Sequence, residues 1–201
     1  MLTLFYLGRL RLPVFTARAV CGAFFLLFVA AFLLAGVAPG QVSSCTQLLQ
    51  AQDARAVAAC KAQFDEAERA PASERMARMV ADDEYGVALL AVAHEPRQSL
   101  EAFDRGIALL PASTVKPDSL QYAVAFWHRA TAYQQLGQWE KASGDLKTAE
   151  DTFTKAIAAA AGDSTLTEHF RQLRQRVRKQ HADVLERQGK HSEAQRLLAT
   201  Q

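Results

Sequence analysis

The stretch Ala130–Leu146, ATAYQQLGQWEKASGDL, constrains the fold of this chain more than any other. Ala130 is followed three residues later by Tyr133, and on a helix these share a face one turn apart. Gly137 sits where that helix must end, because glycine tolerates the left-handed conformation that closes a helix. Trp139 opens a second helix and folds back over the turn. Ala142 and Leu146, one turn apart, face the first helix, and the small residues at 130 and 142 let the two axes approach. The spacing predicts a tight antiparallel helix pair. An ordinary hairpin in a bundle meets the same requirement, so the question is whether the pattern repeats.

It does. Ala182, Leu185, Gly189, Ala194 and Leu198 reproduce the spacing of Ala130, Tyr133, Gly137, Ala142 and Leu146 at an offset of 52 residues. A third copy of the back half is Ser99, Leu100, Phe103, Arg105, Gly106, Ile107, Leu109 and Pro111. The chain thus reads as helical hairpins: 45–50 with 54–69, 74–93 with a helix opened by Pro96, 118–136 with 138–161, and 165–188 with 192–200. Ser44, Asp53 and Ser73 are placed to cap three of these helices. Met76, Met79, Val80, Val87, Leu90 and Ala91 form the apolar positions of the helix at 74–93. His94-Glu95-Pro96 makes its turn, and 112–117 and Gly162-Asp163-Ser164 break the chain. Abundant alanine and only 10 glycines agree with an all-α chain.

These spacings resemble tetratricopeptide (TPR) units, whose usual period is about 34 residues. The longer offset here is absorbed by the long helices at 150–160 and 165–180. The resemblance spans residues 45–200 and implies a TPR-like α-solenoid of about four helical hairpins that binds protein. By residue-wise analogy it places a groove on the first helix of a hairpin. Its lining is Val124, Trp127, Thr131, Gln134 and Gln135 in the third hairpin, and Arg176, Lys179, Asp183 and Glu186 in the fourth. Trp127 is either a peptide anchor or core. The lysine–asparagine clamp of chaperone-binding TPR proteins has no counterpart, which speaks against a cytosolic chaperone as partner.

Ahead of the repeats, Ala19–Ala38 reads AVCGAFFLLFVAAFLLAGVA, with no charge. At about 1.5 Å per residue this spans roughly 30 Å, the hydrocarbon thickness of a bilayer. Arg9, Arg11 and Arg18 precede it and no charge follows until Asp53. The positive-inside rule keeps 1–18 in the cytoplasm and sends the remainder across. A buried soluble helix does not account for that length and those flanks. Gly36-Val37-Ala38 has the small-x-small pattern of a signal cleavage site, but Pro39 follows it, so the expectation is a retained anchor at 19–38 and a linker at 39–44. Val42-Ser43-Ser44-Cys45 resembles a lipoprotein cleavage box, too far beyond the apolar core to serve well.

Cys45 and Cys60 are nearly equidistant from the turn at 51–53, so an antiparallel pair sets them opposite each other. Export would put them in an oxidising compartment. A disulfide closing that loop is worth roughly 3 kcal/mol. It resembles the cysteine pair in the first hairpin of exported bacterial TPR proteins; two buried free thiols are the alternative. Cys21 lies within the apolar run.

The sequence offers little for catalysis. Its five histidines, at 94, 128, 169, 181 and 191, form no metal-ligand spacing, and there is no CxxC, phosphate-binding glycine loop or serine elbow. Asp82-Asp83-Glu84 lacks the alternation and glycine of a calcium loop and reads as a solvated helix face. The three N-terminal arginines account for the net charge of +2, leaving 20 basic and 21 acidic groups beyond residue 40. That balance gives no reason to expect nucleic acid. Arg171, Arg174 and Arg178 share one helix face, joined by Arg176 and Lys179, while Phe170, Leu173, Val177 and Val184 share another. This is a solvated basic side or a dock for acidic protein or anionic lipid. The expectation is therefore a single-span bacterial inner-membrane protein with a periplasmic repeat domain, 45–201. It would bind protein partners in envelope assembly or secretion, without cofactor, metal or catalysis. The alternatives are a secreted or lipid-anchored subunit of a larger complex, and an enzyme with an unrecognised site.

Overall fold

The computed structural model describes residues 44–71, 73–109 and 120–199. The expected span at 19–38, its flanks, the linker before Ser44, Pro111 and the break at 112–117 lie outside these residues. Among the described residues no helix is long and apolar enough to cross a membrane. They form α1 (Cys45–Gln50), α2 (Ala56–Arg69), α3 (Arg75–Ala91), α4 (Pro96–Ala108), α5 (Leu120–Gln135), α6 (Trp139–Ala159), α7 (Ser164–Arg187) and α8 (His191–Ala199). The fold is all-α, four antiparallel hairpins in chain order. Each helix packs on its partner, and the second helix of a hairpin also packs on the first helix of the next.

Local chemistry accounts for most of the ends. Ser44 and Gln47 form a reciprocal capping box that starts α1. Pro96 occupies the first turn of α4, where its missing N–H costs nothing. Asp163 accepts the Leu166 N–H and caps α7. Gly137 and Gly189 take φ of 70° and 75°. At both, the following N–H reaches back five residues, Gln138 to Tyr133 and Lys190 to Leu185, each at 2.9 Å. The two turns that sequence spacing paired are thus the same Schellman-type closure. No atom lies within 4 Å of where a Cβ on Gly137 would stand, so backbone strain alone opposes substitution there. Gly137→Val should cost about 1–3 kcal/mol. Exposed Gln135→Ala should stay within about 0.5 kcal/mol, and thermal melts that rank the two the other way would refute the turn's role.

Several expected caps and faces differ. Ser73 does not cap α3, which begins at Arg75 with Glu74 as a cap that makes no side-chain bond. Asp53 does not cap α2. Its carboxylate takes the backbone N–H and guanidinium of Arg55, and the helix starts at Ala56. In α3 the apolar-periodic Met76 and Ala91 are exposed, while Ala81, Asp82, Gly86, Ala88 and Leu89 are buried. The reason is that α3 is covered by α2, α4 and α5 rather than by one partner. At its crossing with α4, a Cβ on Gly86 would stand 2.5 Å from the Phe103 ring, and Ser99 Oγ donates to the Gly86 carbonyl at 2.8 Å. Leu198 is 55% exposed and does not copy the fully buried Leu146; Leu197 packs instead against Ala182, Leu185 and Ala194.

The main core lies between α5, α6 and α7. Ala123, Phe126, Ala130, Ala142, Leu146, Ala149, Phe153, Phe170, Val177 and Val184 meet there, with Tyr133 and Trp139 packed at the edge. A smaller cluster holds the first hairpin, where Cys45 and Cys60 are joined by a disulfide with a Cα–Cα distance of 4.7 Å. That bond occupies the Cys45 sulfur, leaving no thioether position for a lipid.

Candidate partner-binding surface

The first helices α3, α5 and α7 are linked by side chains from consecutive positions on α5. His128 Nδ1 is 3.0 Å from the Asp83 carboxylate on α3. Trp127 Nε1 donates to Gln180 Oε1 on α7 at 2.6 Å. Gln180 Nε2 donates to Thr131 Oγ1 at 3.0 Å, and the Thr131 hydroxyl donates to the Trp127 carbonyl at 3.2 Å. The ring of bonds uses the polar atoms of three half-buried side chains, leaving none wasted. Behind it, Arg129 makes a two-pronged bond to Asp145 on α6, both contacts at 2.8 Å, and a third to Asp104 on α4 at 2.7 Å. Burial is the largest influence and acts against the guanidinium charge, but the bonds and charge of Asp145 and the bond to Asp104 together outweigh it and hold Arg129 above its usual pKa. These pairs tie α5 to the second helices α4 and α6.

Of the residues assigned to a groove by analogy, Val124 and Trp127 pack against the main core while remaining half-exposed. Thr131 lies at the α5–α7 seam. Gln134 is half-buried, with an Nε2 that has no hydrogen-bond partner among the described residues. Gln135 is exposed, as are Arg176, Lys179, Asp183 and Glu186 on α7. Glu186 bonds His191 across the last turn. Arg176 and Lys179 line a different feature, an open groove of about 760 Å³ beside α7 and α8, together with Arg171, Arg174, Leu197 and Leu198.

The structure corrects the reading of Asp82-Asp83-Glu84 as a solvated face. Asp82 is 1% exposed, Asp83 holds His128, and Glu84 accepts bonds from Thr46 and Gln63 of the first hairpin. Nor is Arg178 on a solvated basic side: it bridges Glu150 and the Leu197 carbonyl. His128 and Asp82 carried no spacing signal, because each partner lies more than 20 residues away.

Burial pulls the His128 imidazolium pKa down, and the charge and hydrogen bond of Asp83 more than restore it, leaving it raised. The pair's contribution is therefore present at acid pH and lost as the pH rises through that raised value. Burial pushes the Asp82 carboxyl up to about 6, against the opposing Arg105 charge 3.1 Å away; Glu68 adds to the rise and Arg78 opposes it. Between about 4 and about 6, folded Asp82 keeps a proton that the unfolded chain has released, so stability from this group falls as pH rises. Asp82→Asn should gain on the parent protein across that window in paired thermal melts. A difference that stays constant with pH would contradict this.

One arrangement has the composition of a hydrolase triad. Ser143 Oγ is 2.8 Å from His181 Nε2, and His181 Nδ1 is 3.9 Å from Glu150 Oε2. The second distance is too long for a hydrogen bond, so none of the described residues orients the base through Nδ1. Glu150 is held instead by Arg178 Nε at 3.0 Å. Ser143 lies inside α6, where neighbouring N–H groups are committed to the helix ladder and are not free to stabilise an oxyanion. The contact is a polar tie between α6 and α7. Among the described residues no cluster of side chains is set to hold a metal ion.

What the fold and this surface define is an all-α stack of helical hairpins with a side-chain-bridged row of first helices. No protein-family model matches the chain, and no curated protein matches it. Among solved structures it is similar to a chain described as a kinesin light chain candidate of Podosopora anserina with nearly identical TPR-like repeats. The identity is 17% and the TM-score 0.48, over 77% of this chain and 88% of that one.

Proposed function

We propose that this protein is a binding scaffold of the TPR-like kind. Residues 19–38 tether it to a bacterial inner membrane and 45–201 stand in the periplasm, where they hold or assemble another envelope protein. The observation that carries the reading is the row α3–α5–α7. Bridges to both neighbours hold α5 in place, while Val124, Trp127, Thr131 and Gln135 keep surface for a partner. The Cys45–Cys60 disulfide supports an exported location, since such bonds persist in oxidising compartments.

The test is photo-crosslinking in native membranes from a reactive amino acid placed at Val124 or Gln135, with exposed Lys147 on α6 as the control position. The expected result is a discrete protein adduct from the two α5 positions and none from 147. Equal adducts from all three, or none from α5, would remove the α5 surface from the proposal. The tether is checked separately: the chain should stay in the membrane pellet after carbonate extraction, and a mature N-terminus at Gln41 would refute it.

A further inference from the structure

The last hairpin is unequal. α7 has 24 residues and α8 only nine. Pairing runs from the Gly189 turn, through Ala194 on Ala182 and Leu185, to Arg178 at the Leu197 carbonyl. Beyond that point, among the described residues, α7 continues toward its N-terminus past the last turn of α8, and the open groove begins there. Its apolar part is Leu197, half-buried, and Leu198, 55% exposed. Its rim is cationic. Arg174, Arg176 and Lys179 have no ion-pair partner among the described residues, and Arg171 has only a 3.7 Å contact with Glu168, both side chains largely exposed. Uncompensated like charges around a concave, partly apolar site repel one another and focus a positive potential into it.

We infer that this groove takes an acidic peptide segment with an apolar anchor, contributed by another protein. The leucines receive the anchor, the cations meet the carboxylates, and the amide of Gln175 is at hand for the peptide backbone, while that of Gln172 donates to Glu168 at 3.2 Å. An anionic membrane suits the site less well: lipid surfaces accept a protruding apolar face, whereas these leucines lie beside a groove whose rim also carries Glu168. The inference rests on α7 and α8 alone, so its failure would leave the α5 surface untouched.

The experiment uses the full chain in phosphatidylcholine nanodiscs. The probe is a fluorescent amphipathic peptide with leucines on one helical face and glutamates on the other. Expected are saturable binding that weakens with salt, no binding when lysine replaces glutamate, and about tenfold loss in the Arg174→Glu/Lys179→Glu chain. Leu198→Ser should weaken binding while leaving the melting temperature unchanged, since the side chain is already exposed. No binding, or binding indifferent to the charge reversal or to peptide charge, would overturn the inference. So would cosedimentation with phosphatidylglycerol vesicles that the charge reversal abolishes while the peptide fails to bind; the groove would then belong to a membrane surface.

Discussion

Phe153→Ala should cost about 3–5 kcal/mol and lower the melting temperature by on the order of 10 °C. Phe153 is fully buried on α6, at the point where α5, α6 and α7 meet. Half of the twelve buried residues in that cluster are alanines, which let the helices approach but fill little volume. The few large side chains, Phe126, Leu146, Phe153 and Phe170, therefore carry most of the apolar burial. Alanines around a deleted ring cannot expand to refill it, so the cavity persists and adds to the lost transfer energy. Hydrogen exchange should quicken in α5, α6 and α7 and change little in α1, because hairpins in a stack feel mainly their neighbours. A loss below about 1 kcal/mol would mean that this site is less tightly packed than the buried ring indicates.

Removing the disulfide should have the next largest effect, about 3 kcal/mol for a loop of this length, and at the opposite end of the stack. α1 has six residues, too few to hold a helix by itself. Apart from the covalent bond it is kept in place by buried Leu48 and by Thr46 donating to Glu84 on α3. Reduction, or Cys45→Ala with Cys60→Ala, should release α1 and loosen the start of α2, with exchange in α6 unchanged. Peptide mapping of unreduced protein should recover 45 linked to 60. Both thiols alkylating without reductant, or a melt indifferent to reduction, would show the bond to be unimportant.

Where sequence reading succeeded, the governing interactions are local. Ser44 as a cap, Pro96 in a first turn and the closures at Gly137 and Gly189 each depend on residues within five positions of one another. The cysteine pair was legible for a related reason, since a short hairpin turn fixes which residues oppose each other. The misplaced caps at Asp53 and Ser73 show the limit of this: a carboxylate or hydroxyl near a helix start is taken by whichever donor stands closest, and for Asp53 that was Arg55.

The surface that would meet a partner was only half legible. Val124, Thr131 and Gln135 lie on α5 at spacings a helix dictates. What they face depends on helices 45 to 53 residues away, through the bonds of His128 to Asp83 and of Trp127 to Gln180. The same distance hid the buried charge of Asp82 and the polar tie of Ser143 to His181. It also hid the exposure of Leu198, which helical periodicity alone assigns to a core. Sequence by itself determined most helix ends, the hairpin pairing and which two cysteines stand opposite each other, because these are settled by backbone geometry and neighbouring side chains. Tertiary structure alone decided which polar groups are buried, which charges are paired and which groove stays open. Those depend on desolvation and on partners brought together only when the hairpins stack.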